Sequence, residues 1–305
     1  MRLALMIEGQ EGVTWQDWCA LADACEKHGV DTLFRSDHYI SQGDEAHNVA
    51  HDAWTTIAGL AARTSTLRFG TLVSPATFRL PGLLANVAAT ADHVSGGRIE
   101  LGLGAGWMER EHRAYGFPFP ETRTRVEMLA EQVEIVHRLW TEERVDFHGR
   151  HYTLEDAPAQ PKPVQQPRPP LLVGGSGGRG TVEPALAFAD EYNTPFVSPN
   201  EAAAVRAKVP GLRFSVMTGF LVGETHEEMR ERAHTLYARR PREQGFDEWL
   251  AAYSERCVVG SVDEAVARLQ EYERAGCDRV MLQHLLHTDL EPVRLIGREL
   301  APALA

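Results

Sequence analysis

The run LLVGGSGGRG, Leu171 to Gly180, closes a β-rich segment with a cluster of glycines and leads into a stretch that reads as a helix. That order suits the holding of an anion. Glycine tolerates positive φ and close backbone approach, and the first N–H groups of a helix have no partner within it and lie in a favourable dipole. Gly174 is expected to end the strand, Gly175, Ser176, Gly177 and Gly178 to aim backbone donors at a phosphate, Thr181 to cap the helix and Pro184 to sit in its first turn. Arg179 would add a cation if its side chain turns inward. A second candidate is FRSDHY, Phe34 to Tyr39, in which His38 follows Asp37. A free imidazole titrates near about 6.5, so His38 is suited to handling a proton at neutral pH. A hydrogen-bonded loop histidine fits the same residues, and the sequence leaves both readings open. Trp107 could wall a flat ring or cover a hydrophobic edge.

Other chemistries lack their residues. No short ligand spacing such as HExxH is present, so no metal is expected, and without a GxSxG elbow hydrolysis has no nucleophile. Glu109, Glu111 and His112 lie near helices and loops, where solvent exposure is expected.

The elements that must position these residues follow one order. Strands are expected at Leu3–Ile7, Thr32–Arg35, Leu67–Val73, Arg98–Gly104, Pro170–Gly174, Asp190–Pro195, Arg213–Val222 and Arg279–Gln283. Amphipathic helices separate them: Trp15, Trp18, Ala22 and Cys25 recur at helical steps before Gly29, and Val126, Leu129, Val133, Val136 and Trp140 form a longer stripe. Eight strands alternating with helices predict an α/β fold, a single (β/α)8 TIM barrel over residues 1–305. Its insertion, around 141–170, holds the proline-rich APAQPKPVQQPRPP, which is expected to cross a surface or to cover the mouth as a lid.

The barrel reading changes the meaning of Gly175-x-Gly177-x-x-Gly180. A dinucleotide fingerprint belongs after the first strand of its half, with an acidic residue ending the next strand. Here the glycines follow the fifth strand, and Asp190 and Glu191 begin the sixth. A phosphate cradle at a barrel mouth fits better. In such a barrel the strand carboxyl ends share one face, which brings together Glu8, Ser36 to Tyr39, Thr71 to Pro75, Gly104 to Met108, Gly174 to Gly178, Asn193, Thr194, Gln283 and His284.

Bulk properties set limits. With 31 basic and 43 acidic side chains, net charge -12, and no basic block, nucleic-acid binding is not expected. No apolar run is of membrane-spanning length, and MRLALMIEG lacks the parts of a secretory signal, so the chain reads as cytoplasmic. Cys19, Cys25, Cys257 and Cys277 form no CxxC pair and read as buried thiols.

Taken together, FRSDHY, the block TLVSPATFRLPGLLANVAATADHVSGGRIELGLGAGW (Thr71 to Trp107), EREHRAYGFPFP (Glu109 to Pro120), the glycine run and CVVGSVDEAVARLQEYERAGCDRVMLQ (Cys257 to Gln283) resemble the luciferase-like monooxygenase superfamily. The similarity is strongest to its branch of coenzyme F420-dependent oxidoreductases. The resemblance implies a deazaflavin ring over the strand ends, with Thr71, Val73 and Ser74 beneath it and a cis peptide near Val73 or Ser74. It further implies Trp107 and Asn193 around the ring, the phosphate on Gly174 to Gly178 and Arg179, and catalysis by His38 with Asp37. Lys162, Arg168 and Arg179 are eligible to receive the acidic tail of F420. FMN with oxygen, supplied by a separate reductase, is the alternative cofactor chemistry, and a catalytically inactive cofactor-binding barrel is a further one. A small-molecule substrate and a homodimer are implied. Relatives that oxidise sugar phosphates carry an acid where Trp107 stands, so a sugar phosphate is not expected.

Overall fold

The computed structural model describes residues 1–43, 50–239 and 243–305. Strand β1 (Arg2–Ile7) leads to helix α1 (Trp15–His28), β2 (Thr32–Arg35), α2 (Ala53–Arg63), β3 (Arg68–Thr71), β4 (Ser74–Pro75), α3 (Pro81–Ser95) and β5 (Ile99–Gly104). Then come α4 (Glu109–Tyr115), α5 (Thr122–Thr141), β6 (Arg144–His148), β7 (Thr153–Pro158), β8 (Leu171–Gly174), α6 (Arg179–Phe188), β9 (Glu191–Pro195) and α7 (Pro199–Arg206). The chain continues through β10 (Arg213–Gly223), α8 (His226–Ala238), α9 (Phe246–Ser254), β11 (Val258–Ser261), α10 (Val262–Arg274), β12 (Arg279–Gln283) and α11 (Glu291–Leu295), and a π-helical turn (Ile296–Leu300) and α12 (Ala301–Ala303) follow.

Eight parallel strands close in the order β10-β12-β1-β2-β3-β5-β8-β9, and β9 pairs back to β10. This is the (β/α)8 barrel. All eight expected strands are present, with ends shifted by one or two residues in most. Four short strands were not expected, β4 among them. The antiparallel pair β6–β7 lies within the 141–170 insertion, and β11 pairs with Phe220–Gly223, where β10 overshoots the barrel.

The expected strand Leu67–Val73 ends early, at Thr71, and β4 follows beyond Val73. After Thr71 the chain leaves the sheet, passes through a cis Leu72–Val73 peptide, and rejoins β5 as Ser74–Pro75; the Ser74–Pro75 bond itself is not cis. Glycines on β5 make room for this excursion: a Cβ at Gly102 would lie 2.2 Å from the Thr71 carbonyl oxygen, and one at Gly104 would lie 2.4 Å from Val73 Cγ2.

The proline-rich run lies away from the mouth. Gln165 donates from its amide to Asp92 (2.7 Å) at the end of α3 and to the Ile99 carbonyl (2.8 Å) at the start of β5, and Lys162 Nζ donates to the Leu139 carbonyl (3.0 Å). These contacts hold it against the amino end of the barrel, opposite the mouth. The polar groups that need partners there are the first N–H and C=O groups of the strands.

Inside the barrel, one layer is apolar: Ala4, Met6, Phe34, Leu72, Leu172, Met217 and Met281. Below it Arg279 donates to Glu100 (2.8 Å) and Glu191 (2.7 Å), while Arg68 donates to the other oxygen of Glu100 (2.9 Å). Burial alone would raise the Glu100 carboxyl, but the charges and hydrogen bonds of Arg279 and Arg68 hold it down to about 2. Since 4.5 is its ordinary value, the stabilisation from Glu100 is complete above pH 4.5 and is lost as pH falls towards 2. Arg279→Met takes the shared cation from two buried carboxylates, leaving Glu100 only Arg68 (2.9 Å) and Glu191 only the more distant Arg213 (3.8 Å), and its expected cost at pH 7 is about 3–5 kcal/mol in urea unfolding. Protonation relieves those carboxylates, so the gap from wild type is expected to narrow at pH 4. An equal gap at both pH values contradicts this account.

Candidate active site

The strand carboxyl ends open into a cavity of about 1200 Å3. Of the expected residues, His38, Val73, Trp107, Gly174, Gly175, Ser176 and Asn193 line it, as do Glu8, Ser36, Thr194 and Gln283. His284 does not; it is buried, and Nε2 meets the Asp289 carbonyl.

His38 is fixed from one side. Its Nδ1 lies 2.6 Å from Glu111 Oε1, and the second oxygen of Glu111 accepts from the Tyr39 backbone N–H (2.9 Å). Glu111 is fully buried. Burial works against a charged imidazole, yet the Glu111 hydrogen bond and charge, with smaller contributions from Glu8 and Asp37, raise the His38 pKa above its ordinary 6.5. Nε2 carries no hydrogen bond among the described residues, which leaves it as the nitrogen that can serve the cavity. Trp107 stands edge-on to the imidazole, ring centres 5.7 Å apart, and is otherwise exposed.

Glu111 and His112 overturn the expectation of exposure for this segment. The signal that could have found them is the helical period: residues two apart on a helix stand about 200° apart, so α4 cannot expose Glu109 and Glu111 together. Glu109 faces out and pairs with Arg113, whereas Glu111 faces in. His112 locks the helix by contacts of Nδ1 with the Met108 carbonyl (2.8 Å) and Nε2 with Thr77 Oγ1 (2.6 Å).

Asp37 has a different place from the one expected. It is buried away from the cavity, where it accepts from Arg79 (2.5 Å) and Ser74 Oγ (2.6 Å). Ser74 Oγ in turn accepts from the Trp54 indole N–H (3.1 Å), and Arg79 also reaches Asp52 (2.9 Å). Asp37 and Ser74 therefore brace the end of β2 against β4 instead of facing a ligand. Thr71 is also buried, donating to the Gly102 carbonyl (3.0 Å).

The glycine turn faces the cavity through Gly174, Gly175 and Ser176, with fewer free donors than the sequence suggests. The Gly175 N–H goes to the Asn193 carbonyl (2.9 Å) and that of Gly177, at φ 78°, to the Tyr192 hydroxyl (2.8 Å). Gly178 caps the helix, so α6 begins two residues before Thr181 and Pro184 falls in its second turn. The N–H groups of Ser176, Gly178, Arg179 and Gly180 have no acceptor among the described residues, and these can hold a phosphate. The Arg179 side chain turns outward, 87% exposed, and pairs with Glu183 (2.6 Å). Lys162 lies at the barrel's other end, and Arg168 there pairs with Asp190 (2.5 Å), so the three eligible cations do not converge. Asn193 is held by Ser215 Oγ, which accepts from Nδ2 (2.9 Å). Four donors, a ring-sized cavity and a clamped imidazole fit a phosphorylated flavin-like group. Among the described residues no cluster of His, Cys, Asp and Glu could hold a metal, and no helix is long and apolar enough to cross a membrane.

In Glu111→Gln the charge that raises His38 is gone while burial still opposes protonation. The expected result is a His38 titration midpoint at lower pH than in wild type, read from its imidazole Cε1 proton by NMR. An unchanged midpoint contradicts the clamp.

Comparison with known proteins gives the family and the fold. Residues 2–279 match the family described as luciferase-like monooxygenase. An F420-dependent glucose-6-phosphate dehydrogenase of Nakamurella multipartita is 38% identical over 168 residues, covering 53% of this chain and 47% of that protein. An FMNH(2)-dependent dimethylsulfone monooxygenase of Pseudomonas putida is 31% identical over 193 residues, covering 63% of this chain and 51% of that protein. The chain thus spans about half the length of these curated relatives. Monooxygenase RslO1 of Streptomyces bottropensis, 22% identical, shares the fold with a TM-score of 0.82 and all of both chains covered. Both curated relatives are named for reactions that use a flavin or a deazaflavin. With the matched residues running through nearly the whole barrel, the chain belongs to the luciferase-like monooxygenase family.

Proposed function

We propose that the protein transfers a hydride between the deazaflavin coenzyme F420 and a small organic substrate, with His38 handling the accompanying proton. The observation that carries this reading is the buried Glu111 clamp on His38 Nδ1, which leaves Nε2 for the cavity into which the glycine turn also opens. When bound, the reduced deazaflavin supplies a hydride from C5.

The chain's own residues do the rest. The N–H groups of Ser176, Gly178, Arg179 and Gly180 would hold the phosphate, and Val73, Trp107 and Asn193, which line the cavity, would contact the ring. Glu111 fixes the imidazole and favours its protonated form, so Nε2–H can donate to a substrate atom as the neighbouring carbon gains hydride. In the opposite direction the neutral imidazole accepts that proton. Homodimer formation belongs to the same proposal.

FMN chemistry, fed by a separate reductase, has one observation in its favour: Lys162, Arg168 and Arg179 do not gather to receive an acidic tail, and FMN ends at its phosphate. Competition between F420 and FMN for the purified protein, followed by calorimetry, separates the readings. Tight FMN binding without F420 binding overturns the first.

Two variants test the roles. Gly178 has φ -76°, which proline adopts, and no atom within 4 Å of an added Cβ. Gly178→Pro removes a donor to a charged group and is expected to weaken cofactor binding about tenfold or more, while Gly178→Ala keeps the donor and leaves affinity within about twofold. His38→Gln is expected to lower the rate of substrate turnover by about 10²–10⁴-fold with cofactor affinity retained. A His38→Gln enzyme with near wild-type turnover excludes the proton role.

A further inference from the structure

The cavity continues beyond the glycine turn and His38, under a roof built separately from the main core. Leu236 of α8 and Trp249 of α9 belong to a distinct apolar cluster, against which Tyr253 packs. All three side chains line the cavity, and the rings of Trp249 and Tyr253 stack with centres 5.3 Å apart. Glu8, just after the end of β1, is also on the cavity wall. Its Oε1 accepts from the Gln283 amide (2.6 Å) and its Oε2 from the Gln10 amide (2.8 Å). A carboxylate has about four acceptor sites, so lone pairs remain for a ligand.

Roof and carboxylate are close neighbours. A Cβ at Gly219 would lie 2.2 Å from the Tyr253 hydroxyl, and Gly219 is the register partner of Gln283, which holds Glu8. The electrostatics oppose an anion here. Arg239, the one arginine or lysine lining the cavity among the described residues, donates from Nη1 to the Leu285 carbonyl (2.6 Å) and has Glu11 beside it. The charge of His38 is already matched by Glu111.

We propose that this half of the cavity is the substrate subsite and that it takes a planar, largely apolar molecule carrying a hydroxyl or N–H donor for Glu8 and no anionic group. The aromatic faces of Trp249 and Tyr253 supply the apolar contact, and Glu8 supplies orientation and rejects carboxylates and phosphates. The inference rests on the reading that this cavity is the catalytic one. It excludes phosphorylated sugars on the basis of charge within the subsite itself.

The test is calorimetric binding of 2-naphthol, 2-methoxynaphthalene and 2-naphthoate to the full chain, with F420 and FMN titrated separately. In wild type, 2-naphthol is expected to bind at least about tenfold more tightly than either of the other two. In Glu8→Gln the disadvantage of 2-naphthoate is expected to shrink at least about tenfold, and Trp249→Leu is expected to weaken 2-naphthol by a similar factor. Naphthoate binding equal to naphthol binding in wild type overturns the proposal, as does an unchanged preference in Glu8→Gln. Should a variant fail to fold, the wild-type series alone decides. Cofactor binding with a failed naphthalene series refutes the subsite and spares the proposed function; the reverse result supports the subsite and refutes the cofactor reading.

Discussion

Arg279 reaches across the barrel floor to Glu100, and that contact joins strands that stand on opposite sides of the cylinder: β12 and β5 are four places apart in a cycle of eight. Its second contact, to Glu191, brings in β9. Three strands are thus tied through one guanidinium before any apolar residue is counted. A buried ion pair contributes little net stability, because desolvating its charges costs about as much as their attraction returns. It is instead intolerant of other arrangements. A register slip on any of these strands would leave a buried charge unpaired, and the position of every residue at the opposite end follows from that register.

The mouth inherits this order through a second brace. The Asp37, Ser74 and Arg79 group holds the end of β2 to the short β4, and the excursion between β3 and β4 brings Leu72 and Val73 to the cavity wall. Both bear on how His38 is held. The residue before it is anchored to the barrel wall, the residue after it gives its N–H to Glu111, and Glu111 grips the ring. The imidazole therefore has a defined orientation and a raised pKa from the same carboxylate. Preorganisation of this kind is what lets one side chain move a proton without reorganising its surroundings.

Charge divides the cavity into two regions. Near the glycine turn, backbone N–H groups without acceptors favour an anion, and near Glu8 and the aromatic roof a carboxylate disfavours one. On the proposed reading, a phosphorylated cofactor would set its phosphate at the glycine turn and leave the Glu8 side to an uncharged partner. Net charge, which is -12 over the chain, conveys none of this, since the division arises from dipoles and a single carboxylate at close range.

Alternation of β-rich runs with amphipathic stripes was enough to place all eight barrel strands, because strand and helix periods are local properties of the chain. The same periodicity carried the glycine turn to the mouth and rejected the dinucleotide reading, since strand order alone decides which ends share a face. It implies that Glu109 and Glu111 face different ways on α4 but not which of them turns in, nor that Asp37 turns from the cavity while His38 turns into it. Neighbouring residues of one type differ only in direction, and direction is set by packing against distant elements: α4 against the end of β2, and Arg79 against Asp37. The glycine turn shows the same limit. Its composition announced a cluster of donors, but which N–H groups remained free was decided by Tyr192 and Asn193, on the neighbouring strand. Sequence by itself determined the barrel and the face that opens into the cavity; the tertiary contacts decided which side chain on that face is held and left open, because hydrogen-bond partners are assigned in space and not along the chain.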